Sequence, residues 1–544
     1  MPTITYKKSE LKRLIGRKIS DDQLTEVITL IKPNLEGVEG EDITLEHTAD
    51  RPDLFGVEGL ARSVSEYLGP RKGARKYNVA KPKIDVKVSA VPVRPYLSAA
   101  VVRNVRMDEG FFKSLMEIQE LLNDSIGRKR TKVAIGVHDL DKIKGPIRYA
   151  GAVRDEEMVP LDSSQSVTLE RVLKDVKKGV EYGKIIKPAK IWPVFRDSEG
   201  VFSFPPIINS DRTKVTEKTR NLFVEVTGTD KQAVSQVIGI LVTNFAERRF
   251  SIEGVKLKHA KKSETTPNLS ESVSEISVGL VNKTLGLNLS VKEIIDLLGR
   301  VGYDAVGSAD KIEVVVPAYR VDILHPIDVI EDIAIAFGYN NLVPELPNVP
   351  TVGRSLPIES VCKRSSMALV GFGFQEIMSS ALSNPKDQFD NMGLPRTGFI
   401  GIENPSSIDY NCVRTNLLPG LLKTLAANKH YEYPQNIFEV GDVVLPDNME
   451  ETLARNERRI AGVVCHSRAG FAELKAIVDS LTKSLGLGYT TKECDSEMYI
   501  PGRGVDVYID KKFAGSFGEL HPKIIQNWDV GMPVTAFEIV LESL

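Results

Sequence analysis

Cysteine is scarce in this sequence. The four present, Cys362, Cys412, Cys465 and Cys494, are far apart in a chain of 544 residues. None forms a Cys-x-x-Cys pair, which excludes a zinc ribbon and a disulfide framework and suits a reducing compartment. Long apolar runs are missing as well: no stretch approaches the roughly 18 residues of a membrane span. The opening Met-Pro-Thr-Ile-Thr-Tyr-Lys-Lys carries no signal-peptide core, so the expected location is the cytoplasm, with no membrane partner. There is no excess of one charge either, with 71 Lys and Arg against 73 Asp and Glu and a net charge of −2. A protein that coats nucleic acid over its whole surface is thereby excluded, and any RNA contact must be local. Basic clusters at 71–76, 128–130 and 256–262 are the places for it, although each alone reads as solvated surface. No P-loop, G-x-S-x-G elbow or H-E-x-x-H helix occurs, and Gly371-Phe372-Gly373 is too short for a nucleotide loop.

What remains is an ordinary globular composition, 42% hydrophobic and 26% charged, in a length that predicts three to five domains of roughly 100–200 residues. A small mixed domain is expected over 1–84. There Ser20-x-x-Gln23 forms a capping box ahead of Leu24, Val27, Ile28 and Ile31. A second helix should follow Asp50-Arg51-Pro52-Asp53, with proline at its first position, and stop at Gly69-Pro70. An α+β domain is expected over 85–270, with strands near 99–105, 133–137 and 222–226. Its helix after Asp230 carries Val234, Val237, Ile238, Leu241 and Phe245. Residues 271–345 suggest a winged-helix-like module with a capping box at Ser290-x-x-Glu293, a strand at 312–316 and a helix over 326–337. Prolines 344, 347, 350 and 357 mark a stiff linker into a last domain, 346–544, of alternating helices and strands.

Three places are candidates for chemistry. Asp328, Glu331 and Asp332 stand at i, i+3 and i+4, so one helical face carries three carboxylates, with Asp322 in the preceding turn. Such a group can gather a hard divalent cation, magnesium being the natural one, or can simply decorate a helix N-terminus, where the macrodipole favours acids. The second place pairs Phe204-Pro205-Pro206-Ile207-Ile208-Asn209-Ser210 with Phe223-Val224-Glu225-Val226-Thr227. Glu225 and Thr227 share one side of a strand and can point into a cleft, or the segment can be a strand-to-helix turn capped by Thr229 or Asp230. His138 after a strand is either a general base or a turn residue.

The strings Asp50-Arg-Pro-Asp-Leu-Phe-Gly-Val-Glu-Gly-Leu-Ala-Arg62, Gly127-Arg-Lys-Arg130 with Val133-Ala-Ile-Gly-Val-His-Asp-Leu-Asp141, and Phe204-Pro-Pro-Ile-Ile-Asn-Ser210 occur in that order. They resemble those of phenylalanine–tRNA ligase beta subunits of the archaeal and eukaryotic cytosolic type. The resemblance continues through Glu225-Val-Thr-Gly-Thr-Asp230, residues 322–339, Val413-Arg-Thr-Asn-Leu-Leu-Pro-Gly-Leu-Leu422, Phe438-Glu-Val-Gly441 and Gly518-Glu-Leu-His-Pro522.

The resemblance implies a multidomain α+β chain with an editing domain, a DNA-binding-like fold and a class II synthetase-like domain that has lost ligation chemistry. It implies a complex of two alpha and two beta subunits that joins phenylalanine to its tRNA with ATP, which the alpha subunit is expected to bind. It places magnesium ligands on Asp322, Asp328, Glu331 and Asp332, and an editing pocket on Glu225, Thr227, Ser203 and Asn209. The function it implies is support of ligation together with hydrolysis of mischarged tyrosyl-tRNA; an assembly and tRNA-docking subunit without active editing is the alternative. Relative to the longer bacterial chains of the family, the OB-fold insertion and the anticodon-binding domain are expected to be lacking. Arg320-Val-Asp322 stands where a proline often precedes the aspartate. Arg414 and Arg503 are isolated and do not form the ATP-binding arginine pair of class II enzymes.

Overall fold

The structure, a computed structural model, describes residues 2–69 and 73–543. Pro70, Arg71 and Lys72, to which the helix stop and part of the first basic cluster were assigned, lie outside the described residues. The chain is a multidomain α+β protein divided into two compact units, Met1–Leu346 and Pro347–Leu544.

The first unit opens with a three-stranded sheet and two helices, Lys8–Ile15 and Asp21–Leu30, the latter capped by Ser20 Oγ on the Gln23 amide at 3.1 Å. The expected helix after Asp50-Arg51-Pro52-Asp53 needs correction. Pro52 opens a single 3-10 turn, Pro52–Leu54, and the helix itself runs Val57–Leu68. The reason is electrostatic. Asp53 is fully buried between the guanidinium groups of Arg51 (2.8 Å) and Arg62 (3.2 Å), and the short turn lets it meet both. Burial alone would raise its pKa, but the two arginines hold it at about 2.

A large sheet follows in the order Ile208–Asn209, Gly200–Phe204, Trp192–Asp197, Ile147–Ala152, Val79–Val88, Ser251–Lys258, Tyr96–Arg103, Leu222–Gly228, Val133–Asp139, with Ser263–Thr266 branching from Ser251–Lys258. Helices Glu109–Asp124 and Lys231–Glu247 cover one face, packing Phe111, Leu115, Ile118, Val234, Val237 and Leu241 on Ala100, Val102, Val224 and Val226. Alternate residues of the same strands build a second core on the other face around Ala99, Val101, Phe195, Phe202 and Phe223, as the two-residue period of a strand requires. The two ends of the sheet path approach each other, since Asn209 Nδ2 donates to the Val137 carbonyl at 3.3 Å. The second core is therefore enclosed.

Beyond it, Ser272–Ser277 pairs with Lys311–Val316, which pairs with Asp304–Ser308; helices Val278–Leu285, Val291–Arg300 and Pro326–Phe337 pack on this small sheet. Ser290 and Glu293 complete a reciprocal capping box.

The second unit holds a seven-stranded sheet ordered Gln375–Glu376, Gln435–Pro446, Ala454–Cys465, Val534–Val540, Lys512–Leu520, Tyr499–Ile509, Thr490–Glu493. Helices Pro357–Gly371 and Phe471–Leu485 join the core on one face, and Leu418–Ala427 joins the core on the other.

Candidate functional site

The strand Leu222–Gly228 is buried along its whole length and reads as an apolar run interrupted by Glu225 and Thr227. Register explains how an acid fits there. Glu225 lies opposite Ala99 on one neighbouring strand and Gly136 on the other, the smallest pair of side chains available. Two residues along the strand, Phe223 stands opposite His138, so Glu225 and His138 share the enclosed face. Ser203 reaches them from the other end of the sheet path.

The contacts are specific. Ser203 Oγ donates to Glu225 Oε1 at 2.9 Å and lies 3.4 Å from Asn209 Oδ1. His138 is fully buried, with Nδ1 3.0 Å from Thr213 Oγ1 and Nε2 4.0 Å from Glu225 Oε1. If the Thr213 hydroxyl donates to the Ser210 carbonyl, His138 Nδ1 carries the proton and Nε2 is left with its lone pair. Among the described residues neither His138 Nε2 nor Glu225 Oε2 has a hydrogen-bond partner, although both are buried. Buried polar groups ordinarily find partners, and two orphans on facing side chains mark a place built to receive one. The walls are aromatic: Phe202 meets the imidazole edge-on at 5.0 Å, with Phe223 and Phe195 behind it. A carboxylate, an imidazole and two hydroxyls gathered among aromatic side chains form a polar group able to hydrogen-bond a hydroxyl presented to it.

Thr227 faces the same side but has a different task. Its Oγ1 and its carbonyl accept from Arg94 Nε (3.2 Å) and Nη2 (2.6 Å), and Arg94 Nη1 donates to the carbonyls of Arg130 and Thr131. Arg94 is fully buried without a carboxylate in ion-pair contact among the described residues, and that burial lowers its pKa to about 10. The structure thus brings Ser203, Asn209 and Glu225 together with His138 and Thr213, and it reaches Thr227 through Arg94.

The carboxylate quartet is arranged differently. Arg320 donates to Asp322 (2.7 Å) and to Asp332 (2.6 Å), and Tyr303 also donates to Asp332. Burial opposes the charge on Arg320, but Asp332 and Asp322 outweigh it and hold the guanidinium protonated. Asp328 accepts from the amides of Leu324 and His325, and Glu331 pairs with Lys32 at 2.9 Å. Among the described residues no three His, Cys, Asp or Glu side chains are grouped so as to hold a metal ion. As arranged, the four acids do not fit a divalent cation, because cations of the protein fill the positions between them.

In the second unit Arg414 is held by Glu439 at 2.6 Å and Arg503 by Glu519 at 2.6 Å. A cavity of about 560 Å³ there is lined in part by Asn416, Arg455, Glu457, Arg459 and Glu538. Its charges are already matched, Arg459 with Glu538 (2.8 Å) and Glu457 (2.7 Å), and Arg455 with Glu457 (2.7 Å).

Comparison with known proteins decides the family. A B3/4 domain matches residues 125–259, a tRNA synthetase B5 domain 274–339, and the phenylalanyl tRNA synthetase beta chain CLM domain 342–541. The phenylalanine–tRNA ligase beta subunits of Methanocaldococcus jannaschii and Pyrococcus furiosus are 39% and 40% identical to this chain, over 100% of both sequences in each case. The chain belongs to the phenylalanine–tRNA ligase beta subunits. A crystal structure of an N-terminal fragment of the beta subunit from Pyrococcus horikoshii is also similar, at 37% identity and a TM-score of 0.60, covering 62% of this chain and 99% of the fragment. As a member of this family the chain is part of an aminoacyl-tRNA synthetase, a ligase. Among the described residues no helix is long and apolar enough to cross a membrane.

The Glu225 cluster lies within the B3/4 match and the carboxylate quartet within the B5 match. Arg94, Gly136 and Thr213 escaped the sequence reading. Gly136 and His138 alternate along one strand, which was the available signal for a shared face; Arg94, between two prolines at 92 and 95, gave none.

Proposed function

We propose that this chain proofreads for its complex by hydrolysing tyrosine from mischarged tRNA, while an alpha subunit carries out ligation. The carrying observation is the buried pair His138 and Glu225, with Nε2 4.0 Å from Oε1 beside the Phe202 ring, in which His138 Nε2 and Glu225 Oε2 have no hydrogen-bond partner among the described residues. Tyrosine differs from phenylalanine by one hydroxyl, and an apolar ligation pocket rejects such an addition by only roughly a hundredfold. A second site that hydrogen-bonds the hydroxyl discriminates in the opposite sense, since a phenyl ring would leave the polar groups unpaired. Glu225, with Ser203 and Asn209 around it, accepts the phenol proton in a hydrogen bond. With the Thr213 hydroxyl donating to the Ser210 carbonyl, His138 presents the Nε2 lone pair towards Glu225, and Thr227, fixed by Arg94, sets the position of the strand.

On this reading the assembly has two alpha and two beta chains with phenylalanine tRNA as substrate, and ATP serves the ligation step in alpha. A magnesium ion at Asp322, Asp328, Glu331 and Asp332 would first have to displace Arg320 and Lys32. The parts are a mixed N-terminal domain (1–84), an editing domain (85–270), a winged-helix-like domain (271–345) and a class II synthetase-like domain (346–544). The test is deacylation of pre-formed tyrosyl-tRNA by the complex. Hydrolysis that exceeds the rate on phenylalanyl-tRNA supports the reading, and no hydrolysis leaves a chain that assembles and docks tRNA only.

A further inference from the structure

The helix Glu109–Asp124 ends in an uncommon way. Arg128, Lys129 and Arg130 all have positive φ, at 47°, 52° and 65°, a left-handed run that L side chains avoid because Cβ crowds the following carbonyl. The run is over-determined by what it satisfies. A helix leaves its last carbonyls without internal donors; here the amides of Arg128, Lys129 and Arg130 turn back onto the carbonyls of Ser125 (3.0 Å), Asp124 (3.4 Å) and Asn123 (3.1 Å). Gly127 allows the reversal, since a Cβ there would meet the Val133 carbonyl at 2.6 Å.

This turn is tied to both sides of the Glu225 cluster. Arg130 donates to the carbonyls of Pro206 (3.4 Å) and Ile207 (3.2 Å), between Ser203 and Asn209, while its guanidinium lies over Tyr182 and pairs with Glu120. From the other side Arg94 joins the carbonyls of Arg130 and Thr131 to Thr227. Arg128 and Lys129 are different from Arg130. Both are exposed, and among the described residues neither side chain makes an ion pair or hydrogen bond. Of the acids around the turn, Glu120 is engaged by Arg130 and Lys178 and Asp230 by Lys132, whereas Asp124 and Glu181 are exposed without a cation in ion-pair contact among the described residues. Two exposed cations without side-chain partners, on a backbone fixed by hydrogen bonds and next in sequence to Arg130, which holds the segment between Ser203 and Asn209, are placed for phosphates if the proofreading reading brings an RNA end to that segment.

We propose that Arg128 and Lys129 bind the sugar-phosphate backbone of the RNA strand whose 3′ end enters the Glu225 site. This rests on the proofreading reading, and the test separates the two. The variant is Arg128→Asn with Lys129→Asn in the assembled complex, because asparagine tolerates the left-handed backbone and keeps the turn. The binding probe is phenylalanine tRNA carrying tyrosine through a non-hydrolysable amide, titrated over a range of salt. Loss of two phosphate contacts should make the slope of log affinity against log salt shallower by about 1.4, at roughly 0.7 per single-strand contact. With ester-linked tyrosyl-tRNA the variant should show a raised KM and an unchanged kcat. An unchanged slope together with an unchanged KM overturns the proposal. A shallower slope in a complex that hydrolyses nothing supports phosphate binding and removes proofreading instead. Should the double variant fold poorly, Lys129→Asn alone must shift the slope by half as much; no shift overturns the proposal.

Discussion

Gly136 stands directly across the strand pair from Glu225, and a Cβ added to it would come within 2.9 Å of Glu225 Cδ and closer still to Oε1. The glycine is there to make room for a buried carboxylate. Gly136→Ala should therefore push Glu225 off Ser203, because the three atoms nearest the added Cβ all belong to Glu225. The expected result is a loss of tyrosyl-tRNA deacylation with a stability cost of only about 1 kcal/mol, one hydrogen bond traded against a better strand residue. Deacylation kinetics beside a thermal unfolding curve check it; full activity in the alanine variant would show that the carboxylate position is irrelevant.

Direct removal should have a graded effect. Glu225→Ala takes away the proposed partner of the phenol hydroxyl and should slow deacylation by about ten- to a hundredfold, corresponding to roughly 1–3 kcal/mol. His138→Asn keeps a polar side chain but loses the lone pair at Nε2 and should lower kcat more than it raises KM. Thr227→Val, which loses only the contact from Arg94 Nε, should be the mildest. Phenylalanine charging by the assembled complex is the internal control for all three. If Thr227→Val proves the most damaging, Arg94 rather than Glu225 organises the site.

Local features of the fold were legible in sequence wherever one short segment carried the whole cause. Asp230 caps its helix on the Ala233 amide at 2.9 Å, Ser290 and Glu293 form their box, and Pro326–Phe337 begins and ends where proline and apolar spacing place it. Convergence was not legible in that way. Ser203, His138 and Glu225 lie on three strands, and only the curl of the sheet brings the first to the other two. The carboxylates at 331 and 332 read as mutually repelling because their cations lie outside the segment: Lys32, which holds Glu331, is 299 positions away, and Arg320, which holds Asp332, comes before the helix; Asp328 takes the helix-start role, accepting from the amides of Leu324 and His325. Asp53 read as part of a helix start, and the Arg62 that buries it sits a turn into the next helix.

Acid should find a weak point at His47. The ring is buried against Tyr6 and Phe55, with Nε2 2.8 Å from the Tyr6 hydroxyl. Burial lowers its pKa to about 4 despite the pull of Asp53. Unfolded histidine titrates near 6.5, so between pH 6.5 and 4 the unfolded chain takes up a proton that the folded chain refuses. Stability is therefore intact above 6.5, falls as pH drops through this window, and levels off below 4, by up to roughly 3 kcal/mol. His47→Gln should be less stable at pH 8, having lost its ring contacts, yet show a flatter decline between pH 7 and 4.5. Equal slopes for the two proteins would assign the acid sensitivity elsewhere.

The carboxylate quartet makes the sharpest forecast, because ion pairing and metal binding order its members differently. In the structure Asp332 is buried against Arg320 and Tyr303, whereas Glu331 is half exposed and shares Lys32 with Asp50. Asp332→Ala leaves Arg320 buried with one carboxylate in place of two and should cost about 3 kcal/mol or more. Asp328→Ala removes the acceptor of two amides at the helix start and should cost about 1 kcal/mol. Glu331→Ala should fall within about 1 kcal/mol of the parent, as exposed pairs do. If a magnesium ion held by all four were the organising element, the losses would be similar and would vanish in chelator. A metal bound only by the folded state also raises the unfolding midpoint with its concentration. The measurement is thermal unfolding of the isolated chain and the three variants with magnesium and with chelator. A ranking of Asp332 over Asp328 over Glu331 at a chelator-insensitive midpoint is expected, and equal losses with a magnesium-dependent midpoint would return the four acids to a metal.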